Sequence, residues 1–197
     1  MAVDPHPADD ELLRLMALGD EQAFTTLYRR RQGAVYRFGL EMSGDPAIAE
    51  EVTQEVFIIL LRETSGYDAK RGPLLSYLYG IARRLVWRYL ERRRSHFTIG
   101  GEDEDGRTPE YMIAPQQVER DVARDEEVRS VRRAVLALPG GYREVVVLCE
   151  LHELSYVEAA RVLGCAVGTV RSRLHRARAL LAEKLAARNS RSTGCLV

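Results

Sequence analysis

The stretch LSYVEAARVLGCAVGTVRSRLHRAR, residues 154–178, carries the signals of two short helices separated by a tight turn. Ser155 and Glu158 have the spacing of a capping box, in which each side chain accepts a hydrogen bond from the other residue's backbone N–H. Residues 164–166, Gly-Cys-Ala, form the predicted turn, and a second helix is expected to begin near Val167. Because two short helices joined by a glycine-containing turn are typical of the helix-turn-helix, this stretch predicts that motif.

The second of these helices has two contrasting faces. Its apolar residues fall on one narrow stripe that can seat it on the first helix, and they are Val170, Leu174, Ala177 and Leu181. In a helix-turn-helix, the start of the second helix enters the major groove, where the opposite face meets base edges and flanking arginines meet phosphates. The predicted DNA contacts are therefore Gly168, Thr169, Arg171, Ser172, Arg173, His175, Arg176 and Arg178. The alternative is a surface helix of an unrelated bundle whose arginines are only solvated.

Charge is strongly segregated along the chain, although the formal net charge is zero. Residues 83–94 hold six arginines and one acid, residues 102–127 hold ten acids and three arginines, and residues 161–191 hold eight basic residues and one acid. Two basic blocks that flank an acidic connector favour a polyanionic partner. Genomic base composition is the competing explanation for the preference for arginine over lysine.

Helix start and stop signals dominate the chain, and strand signals are scarce, so an all-α fold is predicted. The predicted helices cover residues 9–18, 20–42, a stretch from 46, residues 73–94 and further stretches from about 126. Residues 95–125 are rich in acids, glycine and proline and are predicted to be a flexible linker. We therefore expect two small helical domains, residues 1–94 and 126–197, joined by this acidic linker.

The third predicted helix has two apolar sides. Its main stripe consists of Ile48, Val52, Val56, Ile59 and Leu60. At about 100° per residue, Phe57, Ile58 and Leu61 fall on the other side, alongside Glu50 and Gln54. Two apolar sides imply two neighbours, and the second neighbour is either another helix of the same domain or a different protein.

The fourth predicted helix places the only tryptophan of the sequence among arginines. Its inward stripe is Leu75, Leu78, Ala82, Leu85 and Tyr89, and its outward side carries Arg83, Arg84, Trp87, Glu91 and Arg94. Arginine neutralises phosphate, and an aromatic ring offers a stacking surface to unpaired bases. The outward side is therefore a predicted nucleic-acid surface, and the alternative is that Trp87 packs on a neighbouring helix.

Several classes of protein are disfavoured by the same sequence. The three cysteines, Cys149, Cys165 and Cys195, fit neither a disulfide framework nor a standard zinc finger. We find no phosphate-cradling glycine loop and no nucleophile signature, so no cofactor, no metal and no enzymatic activity are expected. The sequence has no apolar run long enough for a membrane span and no secretion signal at its start, which predicts a cytoplasmic protein.

The chain resembles the extracytoplasmic-function sigma factors, a small two-domain class of bacterial transcription initiation factors, from about Asp20 to Leu185. Residues 49–62, AEEVTQEVFIILLR, are similar to the family's region-two helix, which docks on the clamp of RNA polymerase. Residues 72–94, GPLLSYLYGIARRLVWRYLERRR, resemble the part that captures and melts the downstream promoter element. Residues 154–178 resemble the helix-turn-helix that reads the upstream element, and VGTVRSRLHRAR within them is the most specific part of the match.

The resemblance implies a non-enzymatic sigma factor whose partners are core RNA polymerase and promoter DNA, with an anti-sigma factor as a further candidate. It implies polymerase binding by Glu50, Gln54, Phe57, Ile58 and Leu61. It implies binding and melting of the downstream element by Arg83, Arg84, Trp87, Arg88 and Arg94. Relatives commonly have asparagine in place of Arg84, and arginine cannot copy the paired donor and acceptor of an amide. The family's downstream sequence preference is therefore not carried over.

The rival prediction is a stand-alone transcriptional regulator. In that reading, residues 126–187 are the DNA-binding module, and residues 1–94 sense a ligand or dimerise. The basic fourth helix with Trp87 argues against it, because a sensing domain has no need of such a surface.

Overall fold

The computed structural model describes residues 7–63, 66–98 and 122–193. Within these ranges the chain is helical and contains no strand, which confirms the predicted all-α class. α1 spans Asp9–Ala17, α2 Glu21–Ser43, α3 Pro46–Arg62 and α4 Leu74–Thr98. α5 spans Val122–Leu136, α6 Gly140–Val146, α7 Tyr156–Leu163 and α8 Val167–Thr193. A 3-10 turn, Ala69–Arg71, precedes α4, and a π-helical turn, Val147–Leu151, continues α6.

Aspartates start the second and third helices, because an N-cap carboxylate satisfies backbone N–H groups that have no partner inside the helix. Asp20 Oδ1 accepts a hydrogen bond from the N–H of Gln22 at 2.8 Å. Asp45 Oδ1 accepts one from the N–H of Ala47 at 2.8 Å, and Pro46 occupies the first turn of α3. These local signals fix where α2 and α3 begin.

The first core lies between α2, α3 and α4. The predicted stripe of α3 packs into it, with Ile48, Val52, Val56 and Leu60 buried and Ile59 half-buried. The predicted stripe of α4 also packs into it, with Leu78, Ala82 and Leu85 buried and Leu75 and Tyr89 half-buried. Both stripes are confirmed, and burial of each large aliphatic side chain contributes about 1.5–3 kcal/mol.

The predicted helix-turn-helix is present as α7 and α8. Ser155 Oγ accepts a hydrogen bond from the N–H of Glu158 at 3.3 Å, and Glu158 Oε2 accepts one from the N–H of Ser155 at 2.9 Å. Gly164 ends α7 with φ 65°, a left-handed conformation that glycine adopts without steric cost. The stripe that seats α8 is also confirmed, with Val170, Leu174 and Ala177 buried and Leu181 half-buried.

The predicted acidic linker is only partly described. α4 continues to Thr98 and α5 begins at Val122, so both ends of the predicted linker are helical. Residues 99–121 lie outside the described residues.

The helices on either side of the linker pack against each other. α4 contacts α7, and α2 contacts α5 and the π-helical turn. Arg143 on α6 is buried and donates a hydrogen bond to the backbone carbonyl of Met42 at the end of α2, at 2.7 Å. Part of the outward side of α4 therefore faces the helix-turn-helix half of the chain.

Candidate nucleic-acid interfaces

The face of α8 opposite its buried stripe is open to solvent. Exposed on it are Gly168, Arg171, Ser172, His175, Arg176 and Arg178. Thr169 and Arg173 are half-buried. The structure therefore brings all eight predicted contacts onto one helical surface, where most of them can reach a duplex.

A cleft of about 360 Å³ runs beside this helix. From the start of α6 it is lined by Pro139, Gly141 and Tyr142, and from α8 by Thr169, Ser172, Arg173 and Arg176. The sequence reasoning missed Tyr142, because this residue lies two helices before α8 and carries no periodic or motif signal. The cleft extends the basic surface of α8 toward α6.

Arg178, on the flank of α8, is paired with Glu150 of the π-helical turn. Its Nη2 lies 2.5 Å from Glu150 Oε1, and its Nε donates to the same oxygen at 3.1 Å. These hydrogen bonds raise the pKa of Arg178 above its ordinary value. An exposed ion pair of this kind contributes little to stability, so a phosphate can replace the carboxylate.

Two arginines of the α4 surface are exposed as predicted. Arg84 is exposed, and Arg88 is exposed and pairs with Glu55 of α3. Arg94 belongs to α4, but its side chain lies outside the described residues. Arg83 is half-buried, and its Nε lies 2.5 Å from Glu144 Oε1 on α6.

The prediction that Trp87 is exposed is wrong in this structure. The indole is half-buried, and its Nε1–H donates to Glu144 Oε1 at 2.6 Å. Its ring lies against Gly140, where an added Cβ would come within 2.4 Å of the indole Cη2. The alternative, that Trp87 packs on a neighbouring helix, is confirmed. Helical periodicity places a residue relative to its own bundle, and here the outward side of α4 meets a second bundle.

Glu144 is a functional candidate that the sequence reasoning missed. It is buried at 4% exposure and accepts from both Arg83 and Trp87. A buried carboxylate needs such charged or strong donors, because its desolvation is otherwise costly. Its place directly before the apolar run Val145–Val147 was the available signal. A charged residue that directly precedes an apolar run is a candidate for burial, and a buried charge needs a partner.

A second polar bridge joins the two halves at His152. Tyr79 Oη lies 2.7 Å from His152 Nδ1, and His152 Nε2 lies 2.8 Å from Glu41 Oε2. Burial raises the pKa of Tyr79 to about 12, so its hydroxyl keeps its proton at neutral pH. Both ring nitrogens of His152 therefore have a polar partner, one on α4 and one on α2.

The second side of α3 is exposed at its apolar end. Ile58 is 44% and Leu61 48% exposed, and Glu50 and Gln54 are exposed beside them. The assignment of Phe57 to this side is wrong. Phe57 is buried at 2% exposure, with its ring edge-on to Tyr28 at 4.8 Å between centroids. It lies four residues after buried Thr53 and three before buried Leu60, which places it on the edge of the inward stripe.

Neither of the two described cysteines is in a disulfide. Cys149 is half-buried, and burial together with nearby Glu150 raises its pKa to about 11, so the thiol stays protonated at neutral pH. Cys165 is half-buried and unbridged, and Cys195 lies outside the described residues. Within the described ranges, no group of three histidine, cysteine or acidic side chains is placed to hold a metal ion. None of the helices in this part of the chain is long and apolar enough to cross a membrane.

Two family models match the chain, one on each half. Residues 27–96 match "Sigma-70 region 2", and residues 129–181 match "Sigma-70, region 4". The first match covers most of α2, all of α3 and most of α4, and the second runs from the middle of α5 to the middle of α8. The region 2 match sets aside the rival prediction of a ligand-sensing or dimerising first domain.

Curated relatives match over most of the chain. It is 35% identical over 178 residues to the ECF RNA polymerase sigma factor SigE of Mycolicibacterium smegmatis, covering 88% of this chain and 67% of SigE. It is 33% identical over 181 residues to SigC of Mycobacterium tuberculosis, with 89% and 93% covered. It is 30% identical over 171 residues to SigW of Bacillus subtilis, with 85% and 91% covered.

Solved structures show the same fold. CnrH, solved in complex with the cytosolic domain of CnrY, aligns with a TM-score of 0.66 and 28% identity, covering 92% of this chain and 99% of CnrH. The sigma factor RpoE of Bartonella quintana, solved with the anti-sigma factor NepR, aligns with a TM-score of 0.64 and 24% identity, covering 82% and 96%. The chain belongs to the extracytoplasmic-function RNA polymerase sigma factors, which act with core RNA polymerase in promoter-specific transcription initiation.

Proposed function

We propose that the two arginine-rich surfaces divide the promoter between them. The α8 surface reads the upstream element, and the α4 surface captures and melts the downstream element. Residues 1–94 and 126–197 act as two domains on either side of the linker 95–125. The observation that carries this proposal is the open face of α8. Ser172, His175 and Arg176 are exposed on this basic face, and Ser172 and Arg176 also line the cleft beside it.

Upstream recognition follows from the position of each side chain on α8. Ser172, His175 and Arg176 project from the middle of the exposed face and meet base edges in the major groove. Arg171, Arg173 and Arg178 flank that face and meet phosphates, which position the helix without reading sequence. At the start of α8, the small residues Gly168 and Thr169 let the backbone N–H groups approach a phosphate, which the helix dipole also favours.

Downstream capture uses the outward side of α4. Arg83, Arg84, Arg88 and Arg94 neutralise the backbone of the separated strands, and Trp87 stacks on an unpaired base. Exposure of Arg84 and Arg88 supports this role. Since a base stacked on an aromatic ring gains about 1–3 kcal/mol, capture of one base by Trp87 offsets part of the cost of opening a short stretch of duplex. We propose that this mechanism is non-enzymatic.

Attachment to polymerase is assigned to the second side of α3. Exposed Ile58 and Leu61 supply the apolar contact, and Glu50 and Gln54 supply its polar rim. Polymerase then holds both DNA-binding halves at one promoter, so the second contact benefits from a high effective concentration once the first has formed.

The proposed setting is the cytoplasm, where core polymerase meets the chromosome. We also propose regulation by an anti-sigma factor. RpoE of Bartonella quintana, whose fold is similar, was solved in complex with the anti-sigma factor NepR, and this motivates the proposal.

Run-off transcription with purified core polymerase tests the proposed function. The full chain should give a transcript from its own promoter, and Leu61→Asp should abolish it by removing the polymerase contact. Val128→Asp is the matched control, because Val128 is an equally exposed apolar residue on α5, at 43%. Transcription that survives Leu61→Asp would remove α3 as the polymerase surface. The absence of any promoter-specific transcript from the unaltered chain would contradict the proposed function itself.

A further inference from the structure

We propose that one strand of the opened promoter lies along a stripe of α4 made of Gly80, Arg84, Arg88 and Arg92. In this inference Gly80 lets the strand approach the helix closely, and Arg92 is an additional phosphate contact. The inference rests on the proposed function, since it concerns strand capture by α4. The four residues are spaced four apart, so they follow one side of the helix with about 6 Å between neighbours along its axis.

The guanidinium groups of the stripe are available to an anion. Arg84, Arg88 and Arg92 are all exposed. Within the described part of the chain, no carboxylate forms an ion pair with Arg84 or Arg92. Arg88 pairs with Glu55 of α3, but the two side chains are 44% and 31% exposed, and such a pair contributes little free energy. Three cations, one on each successive turn, can therefore neutralise successive phosphates of one strand.

The neighbouring arginines of α4 lie off this stripe. Arg83 donates to Glu144 on α6. Arg93 pairs with Asp45, the residue that caps the start of α3. Arg92 and Arg93 are thus adjacent exposed residues of the same type, but only Arg92 continues the row of Arg84 and Arg88. This difference provides a matched pair for the experiment.

Gly80 distinguishes the stripe from a row of solvated charges. Its φ is not positive, so the backbone conformation does not require glycine. A Cβ added at this position would meet no atom of the described residues within 4 Å, so internal packing does not require glycine either. Glycine inside a helix is destabilising relative to alanine. The remaining use of glycine is to let another backbone approach closely, and here the open space lies one turn before Arg84.

Gly33 on α2 shows what a filled position looks like. It is also a helical glycine with an arginine four residues later, Arg37. A Cβ added at Gly33 would meet Arg37 Nη1 at 3.7 Å, so the arginine of the same helix already lies over the glycine. At Gly80 the equivalent space is empty. A sugar-phosphate backbone can therefore lie against α4 at Gly80 and follow the arginines from there.

Binding of a labelled single-stranded oligonucleotide by the full chain, measured by fluorescence anisotropy over a range of salt concentrations, tests the stripe. Arg92→Ala should reduce the slope of log K against log salt by about 0.7, the change for one lost phosphate contact on a single strand. Arg93→Ala is the matched control and should leave the slope unchanged. An unchanged slope in Arg92→Ala, or an equal change in both variants, would overturn the stripe.

Gly80→Ala separates binding from folding. Because alanine is the better helix former and would meet only open space, this variant should raise Tm by about 1–4 °C. Its methyl group should nevertheless weaken oligonucleotide binding, and Gly80→Leu should weaken it further. Gly33→Ala is the control and should raise Tm without weakening binding. Undiminished binding by Gly80→Ala and Gly80→Leu, or a lower Tm in Gly80→Ala, would overturn the role of Gly80.

Run-off transcription by the unaltered chain is read separately. Its failure would overturn the proposed function, whereas the oligonucleotide results concern the stripe alone. If the unaltered chain supported transcription but bound no oligonucleotide at low salt, the stripe would be overturned and the proposed function would remain.

Discussion

The two proposed DNA-binding surfaces, on α8 and on α4, differ in what covers them. On α8, Ser172, His175 and Arg176 face solvent. On α4, Arg83 and Trp87 face Glu144 of the other half. Both helices are rich in arginine and place their apolar residues inward. The difference shows that a helix's outward face is open only where no second bundle covers it. In this structure the proposed reading surface is open, and the proposed melting surface is partly covered.

Loss of the packing beneath α8 should have the largest effect on stability. It should disable the α8 surface and spare the α4 surface. Leu174 is 1% exposed and seats α8 on the rest of its bundle. Leu174→Ala should lower the free energy of unfolding of this half by about 2–5 kcal/mol, through lost burial and the cavity that remains. Urea unfolding followed by circular dichroism measures the loss. Leu61→Ala, at an exposed leucine, is the control and should change the free energy of unfolding little. An equally small change in Leu174→Ala would contradict the packing of α8.

Sequence recognition by the open surface should depend on Arg176. Arg176→Ala should cost about 1–3 kcal/mol in binding to the upstream element if the guanidinium makes a bidentate base contact. Competition between the promoter sequence and a scrambled duplex measures the discrimination. A loss that is equal on both duplexes would assign Arg176 to a phosphate instead.

The cap of α7 supports the open surface from one helix away. Ser155→Ala removes the acceptor for the Glu158 N–H and should lower the free energy of unfolding by about 1 kcal/mol. Ser155→Thr keeps the acceptor and should restore most of it. Thermal unfolding of the unaltered chain and the two variants measures these differences. If Ser155→Thr lost as much stability as Ser155→Ala, packing rather than capping would be responsible.

The same cap should give a small dependence of stability on pH. Hydrogen bonds from the Ser155 side chain and backbone lower the pKa of Glu158. Because the folded-state pKa lies below the unfolded-state value, the stabilisation is present above the ordinary glutamate range and is lost as the pH falls through the folded-state pKa. Urea unfolding between about pH 3 and pH 6 should show a shallower decline in Glu158→Gln. Identical slopes in both chains would contradict the role of the carboxylate.

The sequence predicted the parts of this molecule that are governed by local chemistry. The capping box at Ser155, the turn at Gly164 and the buried stripe ending at Leu174 all follow from contacts within a few residues. The face of α8 follows from the same periodicity.

The errors lie where distant parts of the chain meet. Trp87 was placed correctly on its helix but not against α6, because no local pattern records the approach of a second bundle. Phe57 lies on the border between two faces, where an angle of 100° per residue cannot separate burial from exposure. Glu144 carried a usable signal, a charge before an apolar run, but its partners are more than 50 residues away in sequence.

The division of labour between the surfaces is tested most directly by transcription from two forms of one promoter, a full duplex and the same DNA with its downstream element already unpaired. Arg176→Ala should reduce the transcript from both templates, because upstream recognition is needed in each. Trp87→Ala should reduce the transcript from the duplex template, where permanganate should also show less unpaired DNA. On the pre-opened template the same variant should give a normal amount of transcript. An equal defect of Trp87→Ala on both templates, or none on the duplex, would contradict the assignment of melting to α4.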